Sequence, residues 1–70
     1  MPEIKSSAEW IRIIEEDGWV YERTTGSHWH FLHPNKKGLV TIPHPKKEIK
    51  KGTAGNIKRQ MKGLGPKNES

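Results

Sequence analysis

Turn-forming residues divide the middle of the chain into three short segments with the composition of β-strands. The segments are rich in apolar, β-branched or aromatic residues and span residues 19–25, 28–33 and 39–42. Gly26-Ser27 separates the first two segments, and a turn over residues 34–38 separates the second from the third. Pro43 ends the third segment, because proline lacks the N–H that a central strand donates. This spacing predicts an antiparallel meander of three strands.

A helix is predicted before this meander. Ser6 and Glu9 have the spacing of a capping box, in which each side chain binds the backbone N–H of the other residue. Trp10 and Ile14 follow at the i, i+4 spacing of an amphipathic helix, and Gly18 is placed to end it in the left-handed conformation.

A second helix is predicted after the meander, over residues 54–62. Thr53 is placed to cap its N-terminus, Ile57 and Met61 share one face, and Gly63 ends it. Two amphipathic helices and three strands predict an α+β fold of order α-β-β-β-α. The economical packing places both helices on one face of the sheet and leaves the other face open.

The chain has 70 residues, a length that allows one domain. We expect a single domain over residues 1–65 and a disordered polar tail over residues 66–70. Cysteine is absent, which excludes disulfides and thiolate metal sites and favours the cytoplasm. No segment approaches the roughly 18 apolar residues of a membrane span, and residues 1–7 lack the apolar core of a signal peptide. We therefore expect a soluble, cytoplasmic protein without a membrane partner.

Charge is divided unevenly along the chain. Residues 1–33 carry three Lys or Arg and six Asp or Glu, whereas residues 34–70 carry ten Lys or Arg and two Glu. A basic half of this kind favours a polyanion such as RNA, because lysine and arginine neutralise phosphates. Charge alone fits a solvated lysine-rich surface equally well.

Three of the four histidines lie between Gly26 and Pro34. Alternate residues of a strand face opposite sides of the sheet, and Phe31 is the best core candidate in this segment. We therefore expect His28 and His30 to point away from the helices, towards the open face.

A set of short motifs extends over nearly the whole chain in register. They are Gly26-Ser27-His28, Phe31, His33-Pro34, Thr41-Ile42-Pro43-His44-Pro45, Lys47 and Glu48, Gly52-Thr53, Ile57 and Arg59-Gln60. Together they resemble the HicA family, the toxin component of HicA/HicB toxin-antitoxin pairs. One departure is Ala54-Gly55-Asn56, where many relatives carry bulkier and basic residues.

The resemblance implies a double-stranded-RNA-binding-domain-like fold with the element order predicted above. It implies a type II toxin that is an mRNA interferase, an endoribonuclease that cleaves mRNA without the ribosome, and an acidic HicB-type antitoxin as its partner. The essential residue of the family is the histidine after the glycine turn, which is His28 in this sequence. The resemblance also implies catalysis without a metal ion, and no cofactor is expected.

His28 suits this chemistry, because RNA supplies its own nucleophile in the 2′-hydroxyl and needs proton transfer near neutral pH. Our hypothesis is that His28 acts as general base or general acid in a metal-independent transesterification that leaves a 2′,3′-cyclic phosphate. Lysines of the basic half are candidate RNA contacts that stabilise the phosphate charge. They are Lys36, Lys37, Lys46, Lys47, Lys50 and Lys51.

The histidines also allow a metal site, since His28 and His30 are two positions apart on one strand. This alternative is weak, because residues 26–34 contain no acidic residue to support such a site. We expect His30 to be a surface residue and His33 a hydrogen-bonding residue at the strand end. For His44, loop structure and phosphate contact stay equally open.

Two further alternatives remain from the sequence. A non-catalytic double-stranded-RNA-binding-like module would have the same element order and basicity. A protein-interaction module is compatible with the small core, because a partner adds stability by linkage. The histidine after Gly26-Ser27 favours the nuclease, since a domain that reads RNA shape does not need it.

Overall fold

The computed structural model of the chain describes residues 4–66. The elements are α1 (Ser7–Glu16), β1 (Val20–Thr25), β2 (His28–His33), β3 (Lys36–Pro43) and α2 (Lys51–Arg59), followed by a π-helical turn (Gln60–Leu64). The strands form one antiparallel sheet in the order β1-β2-β3. This confirms the predicted α+β, double-stranded-RNA-binding-domain-like fold of order α-β-β-β-α.

The start and end of α1 follow from the residues predicted to form them. The Ser6 hydroxyl accepts a hydrogen bond from the Glu9 N–H (3.2 Å), and the Ser6 N–H donates to the Glu9 carboxylate (2.9 Å). Gly18 follows the helix with φ of 106°. Trp10 and Ile14 are buried on the inner face of the helix. The capping box and the left-handed glycine are therefore confirmed.

The core lies between the sheet and the two helices. One cluster of buried residues joins both helices to one face of β2 and β3, together with Trp19 before β1 and Ile49 before α2. Its buried members are Trp10, Ile14, Trp19, Phe31, Val40, Ile42, Ile49 and Ile57. Because residues of both helices share this cluster with Phe31, both helices pack on the same face of the sheet, as predicted.

The third strand begins earlier than predicted, at Lys36 instead of Leu39. Only two residues turn between β2 and β3, because His33 pairs with Lys36 across the sheet. Gly38 lies inside β3 with φ of 78°, where the register with β2 shifts. A Cβ atom at Gly38 would lie 2.7 Å from the Gly65 carbonyl oxygen. This glycine therefore forms a bulge that admits another backbone segment, and not the predicted turn.

The second helix begins at Lys51, three residues before the predicted start, so Thr53 lies inside the first turn and does not cap it. Ile49 explains the early start: it is buried, and its N–H donates to the Lys5 carbonyl oxygen (2.7 Å). This contact fixes the backbone directly before the helix. At the other end, Gly63 has φ of 86° and interrupts the helical conformation, as predicted.

The segment after α2 covers the outer edge of β3. The Thr41 N–H donates to the Gln60 side-chain oxygen (2.8 Å), and the Leu39 N–H donates to the Pro66 carbonyl oxygen (2.8 Å). These bonds satisfy backbone donors that an edge strand otherwise exposes. Pro66 is the first residue of the predicted tail, and the remainder of that tail, residues 67–70, lies outside the described residues.

Across residues 4–66, no helix has the length and apolar character needed to cross a bilayer.

Candidate catalytic site

The Gly26-Ser27 turn presents His28 at the end of the sheet where the central strand, β2, begins. Gly26 has φ of 60°, a conformation that glycine adopts without strain. On one side His28 pairs with Thr25 of β1, and on the other side with Pro43 of β3. The His44 N–H donates to the Ser27 carbonyl oxygen (2.8 Å). The backbone that carries His28 is therefore held from both neighbouring strands.

The strand alternation places His28 and His30 on the same face of the sheet. Phe31 is fully buried in the core, and Trp29 packs against that core from the same side. Successive side chains of a strand point to opposite faces, so His28 and His30 lie on the face opposite to the helices. The His28 side chain is exposed, whereas His30 is half-buried.

His30 is enclosed by one residue from each neighbouring strand. Arg23 of β1 and Thr41 of β3 are its partners in the sheet register. The His30 Nδ1 atom lies 2.9 Å from the Thr41 hydroxyl oxygen. Burial, together with the positive charges of Arg23 and His28, lowers the pKa of His30 from its ordinary value, with burial as the largest cause. The sequence predicted a surface residue, whereas His30 is half-buried and its ring is bonded to Thr41.

His33 connects the end of β2 to the end of α1. Its Nδ1 atom accepts a hydrogen bond from the Asn35 N–H (3.0 Å), so its Nε2–H donates to the Asp17 carbonyl oxygen (2.7 Å). The ring also packs edge-on against Trp19, at 5.2 Å between centroids. Both ring nitrogens are engaged within the protein, which agrees with the hydrogen-bonding role predicted for this residue.

His44 connects the loop after β3 to the start of α1. Its Nδ1 atom lies 2.7 Å from the hydroxyl oxygen of Ser7, which is buried. The Lys46 N–H donates to the same hydroxyl (2.8 Å), and the His44 ring packs edge-on against Trp29 at 4.6 Å. Of the two roles left open by the sequence, these contacts favour loop structure.

The structure therefore separates the four histidines. His28 and His30 are neighbours on the open face, whereas His33 lies at the far end of β2 and His44 packs against Trp29. Among residues 4–66, no three His, Cys, Asp or Glu side chains are grouped as ligands for a metal ion.

The candidate lysines lie in three different places. Lys36 and Lys37 begin β3 beside the end of β2, about 17 Å along the strand from His28. Lys46 and Lys47 follow β3 at the end of the sheet where His28 lies. The remaining pair, Lys50 and Lys51, is exposed at the start of α2.

Lys36 already has an acidic partner within the chain. Its ammonium lies 2.6 Å from the Asp17 carboxylate, and this hydrogen bond is the main reason that the pKa of Asp17 lies below its ordinary value. Lys46 and Lys47 follow the strand end that pairs with His28, and the Lys46 backbone is bonded to Ser7 at the start of α1.

Two polar contacts of Thr41 were not predicted from the sequence. Thr41 binds His30, and Gln60 binds the Thr41 backbone. Both residues belonged to the motifs quoted above, but their contacts depend on the register of β2 with β3 and on the path of the chain after α2. The short turn between His33 and Lys36 would by itself pair His30 with Leu39, and the register shift beside Gly38 makes Thr41 the partner instead.

A family model described as "HicA toxin of bacterial toxin-antitoxin" matches residues 7–62, from the first residue of α1 into the π-helical turn. The match includes the whole sheet and all four histidines. A search of curated proteins found no match to the chain.

Proposed function

The chain belongs to the HicA toxin family of bacterial toxin-antitoxin systems, and from this premise we propose that it is a metal-independent endoribonuclease with His28 as a catalytic residue. The observation that carries the proposal is the placement of His28: its imidazole is exposed on the open face, while its backbone is paired on both sides. A rigid backbone with an accessible side chain is what acid–base catalysis on a large substrate requires.

The reaction needs two proton transfers from the protein, because the RNA supplies its own nucleophile. The RNA 2′-hydroxyl attacks the adjacent phosphorus once its proton is removed, and the 5′-oxygen leaves when it is protonated. An imidazole changes its charge near neutral pH and can carry out either proton transfer, with a typical rate effect of about 10² to 10⁴. The product is a 2′,3′-cyclic phosphate.

In this proposal, lysines of the basic half of the chain bind the RNA phosphates. Lys46 and Lys47 lie at the His28 end of the sheet, so we assign them the phosphates next to the scissile bond. Lys50 and Lys51 are assigned phosphates further along the strand. Lys36 and Lys37 lie at the opposite end of the hairpin, and Lys36 is already paired with Asp17, so we expect the smallest contribution from these two.

The family also implies an antitoxin partner. We propose an acidic HicB-type antitoxin that covers His28 and the neighbouring basic loop. Such a partner would inhibit cleavage by excluding RNA from the open face, and acidic side chains would replace the phosphates at Lys46 and Lys47.

Digestion of RNA in the presence of a chelator tests the proposed activity. Purified protein should cleave a natural RNA, should leave 2′,3′-cyclic phosphate ends, and should leave a fully 2′-O-methylated RNA of the same sequence intact. His28→Ala should bind the natural RNA and fail to cleave it. Cleavage of the 2′-O-methylated RNA, or cleavage that requires a divalent metal ion, would overturn the proposed mechanism.

The same experiment separates the nuclease from a non-catalytic RNA-binding module. A binding module would bind both RNAs with equal affinity and would cleave neither. Glu15→Gln, exposed on α1 and away from the open face, provides a control that should cleave and bind like the wild-type protein.

A further inference from the structure

The open face carries a second imidazole beside His28, and we propose that His30 is the general base of the reaction while His28 is its general acid. This assignment rests on the proposed function. It starts from the juxtaposition of two histidines on one face of β2, with His30 held between Arg23 and Thr41.

The spacing of the two histidines fits a single phosphodiester. Residues two positions apart on a strand are separated by about 6.6 Å along one face. The attacking 2′-oxygen and the leaving 5′-oxygen lie on opposite sides of the phosphorus, and each catalytic group must approach its oxygen to about 3 Å. His28 and His30 can therefore flank one phosphate, with His28 on the exposed side.

Thr41 orients the His30 ring for this role. The Thr41 hydroxyl lies 2.9 Å from His30 Nδ1, and the Thr41 backbone is itself fixed by its N–H bond to the Gln60 side chain (2.8 Å). With the hydroxyl accepting from Nδ1–H, the lone pair lies on Nε2. Nε2 is then the ring nitrogen that can accept the proton of the 2′-hydroxyl.

The charges around His30 favour its neutral form. Arg23 faces it from β1, His28 faces it from the same strand, and Thr41 of β3 is uncharged. Burial, Arg23 and His28 lower the pKa of His30, which favours the deprotonated form that a general base needs. His28 is then the group that carries the proton to the leaving oxygen.

The proton and bond changes balance within one step. His30 Nε2 takes the proton of the 2′-hydroxyl as the bond from the 2′-oxygen to phosphorus forms. The bond from phosphorus to the 5′-oxygen breaks, and the imidazolium of His28 gives its proton to that oxygen. The two histidines end with exchanged protonation states, and solvent restores them.

The pH dependence of cleavage tests the assignment. A general base must be deprotonated, so the wild-type rate should rise with pH through the His30 pKa. His30→Gln should lower kcat by about 10²- to 10⁴-fold and remove this rising limb. His33→Gln removes an imidazole outside the pair and should keep the rising limb. A His30→Gln protein with the wild-type rate and the rising limb would overturn the assignment.

A modified substrate distinguishes base from acid. In an RNA with a 5′-bridging sulfur at a mapped cleavage site, the leaving thiolate needs no proton. His28→Ala should recover most of the wild-type rate on this substrate, whereas His30→Gln should not. Recovery by His30→Gln instead would overturn the assignment.

Two further outcomes keep the inference separate from the proposed function. If the wild-type protein cleaves no RNA with chelator present, the proposed function itself fails. If His30→Gln does not fold, Thr41→Val replaces it, since it retains the imidazole and removes the hydroxyl bound to Nδ1. This variant should lower kcat and shift the rising limb, and an unchanged profile would overturn the role of His30.

Discussion

Position in the sheet separates the histidines of this protein into two groups. His33 and His44 bind groups of the chain itself, Asp17 and Ser7, and hold the two ends of α1 against the sheet and its loops. His28 and His30 lie side by side on the open face. Residue type alone therefore says little here about chemistry, because four identical side chains have different surroundings.

The buried hydroxyl of Ser7 should contribute to stability more than a serine usually does. It accepts from the Lys46 N–H (2.8 Å) and lies within hydrogen-bond distance of His44 Nδ1 (2.7 Å). Ser7→Ala leaves these groups without a partner, so we expect a loss of about 1–3 kcal/mol in the free energy of unfolding. Thermal unfolding measures it, with a fall in Tm of about 4–8 °C per kcal/mol for a small domain.

Ser27→Ala provides the control for this prediction, because the Ser27 side chain is exposed and only its backbone carbonyl binds His44. Its Tm should stay near the wild-type value. Equal Tm values for Ser7→Ala and Ser27→Ala would show that the buried hydroxyl adds no stability.

The Asp17–Lys36 pair should make stability depend on pH in acid. The hydrogen bond from Lys36 holds the pKa of Asp17 below its ordinary value of 3.8. Since the folded protein binds this proton more weakly than the unfolded chain, the contribution is present above about pH 4 and is lost as pH falls through the folded pKa. Asp17→Asn should therefore lose a little Tm near neutral pH and show a shallower decline in acid.

Lys36→Met removes the other partner and should produce the same flatter profile, while the double variant should add nothing further. Profiles of Tm against pH that run parallel for wild type and Asp17→Asn would contradict this role of the pair.

At the scale of elements, sequence patterns predicted most of the fold. The capping box at Ser6 and the hydrophobic spacing in α1 are local signals, and local contacts realise them. The predicted starts of β3 and α2 were wrong for a common reason. Gly38 and Ile49 are fixed by segments distant in the chain, the Gly65 backbone and the Lys5 carbonyl. Tertiary contacts of this kind leave no local pattern to read.

Two glycines near the C-terminus should respond in opposite directions to alanine. Gly55 lies inside α2, and a Cβ atom there would meet nothing within 4 Å, so Gly55→Ala should stabilise the protein by about 0.5–1 kcal/mol. Gly63 has φ of 86°, and Gly63→Ala should destabilise it by about 1–2 kcal/mol. Urea unfolding midpoints measure both. A shift in the same direction for the two variants would contradict the helix boundaries given above.

At the scale of the whole molecule, the sheet separates a helical face from an open face that carries the candidate site. The resemblance and the glycine turn predicted His28 from the sequence, and strand alternation predicted its direction. The support that His30 receives from Thr41 and Gln60 required the strand register and the path after α2. The placement of His28 on the open face was therefore predictable, and the surroundings of its neighbour His30 were not.

The basic half should contribute unevenly to RNA affinity. Replacing Lys46 and Lys47 with Gln at the His28 end should weaken binding more than the same change at Lys36 and Lys37. Each lost phosphate contact should also reduce the slope of log K against log salt by about 0.7 on single-stranded RNA. Titrations at several salt concentrations measure both effects. Equal losses for the two pairs would show that the lysines act only through net charge.

The central claim is that His28 cleaves RNA, and single-turnover cleavage with chelator present tests it most directly when binding is measured in the same samples. For His28→Ala we expect a rate lower by about 10²- to 10⁴-fold than that of the wild-type protein, with RNA affinity nearly unchanged. Equal cleavage rates for the two proteins would contradict the role of His28.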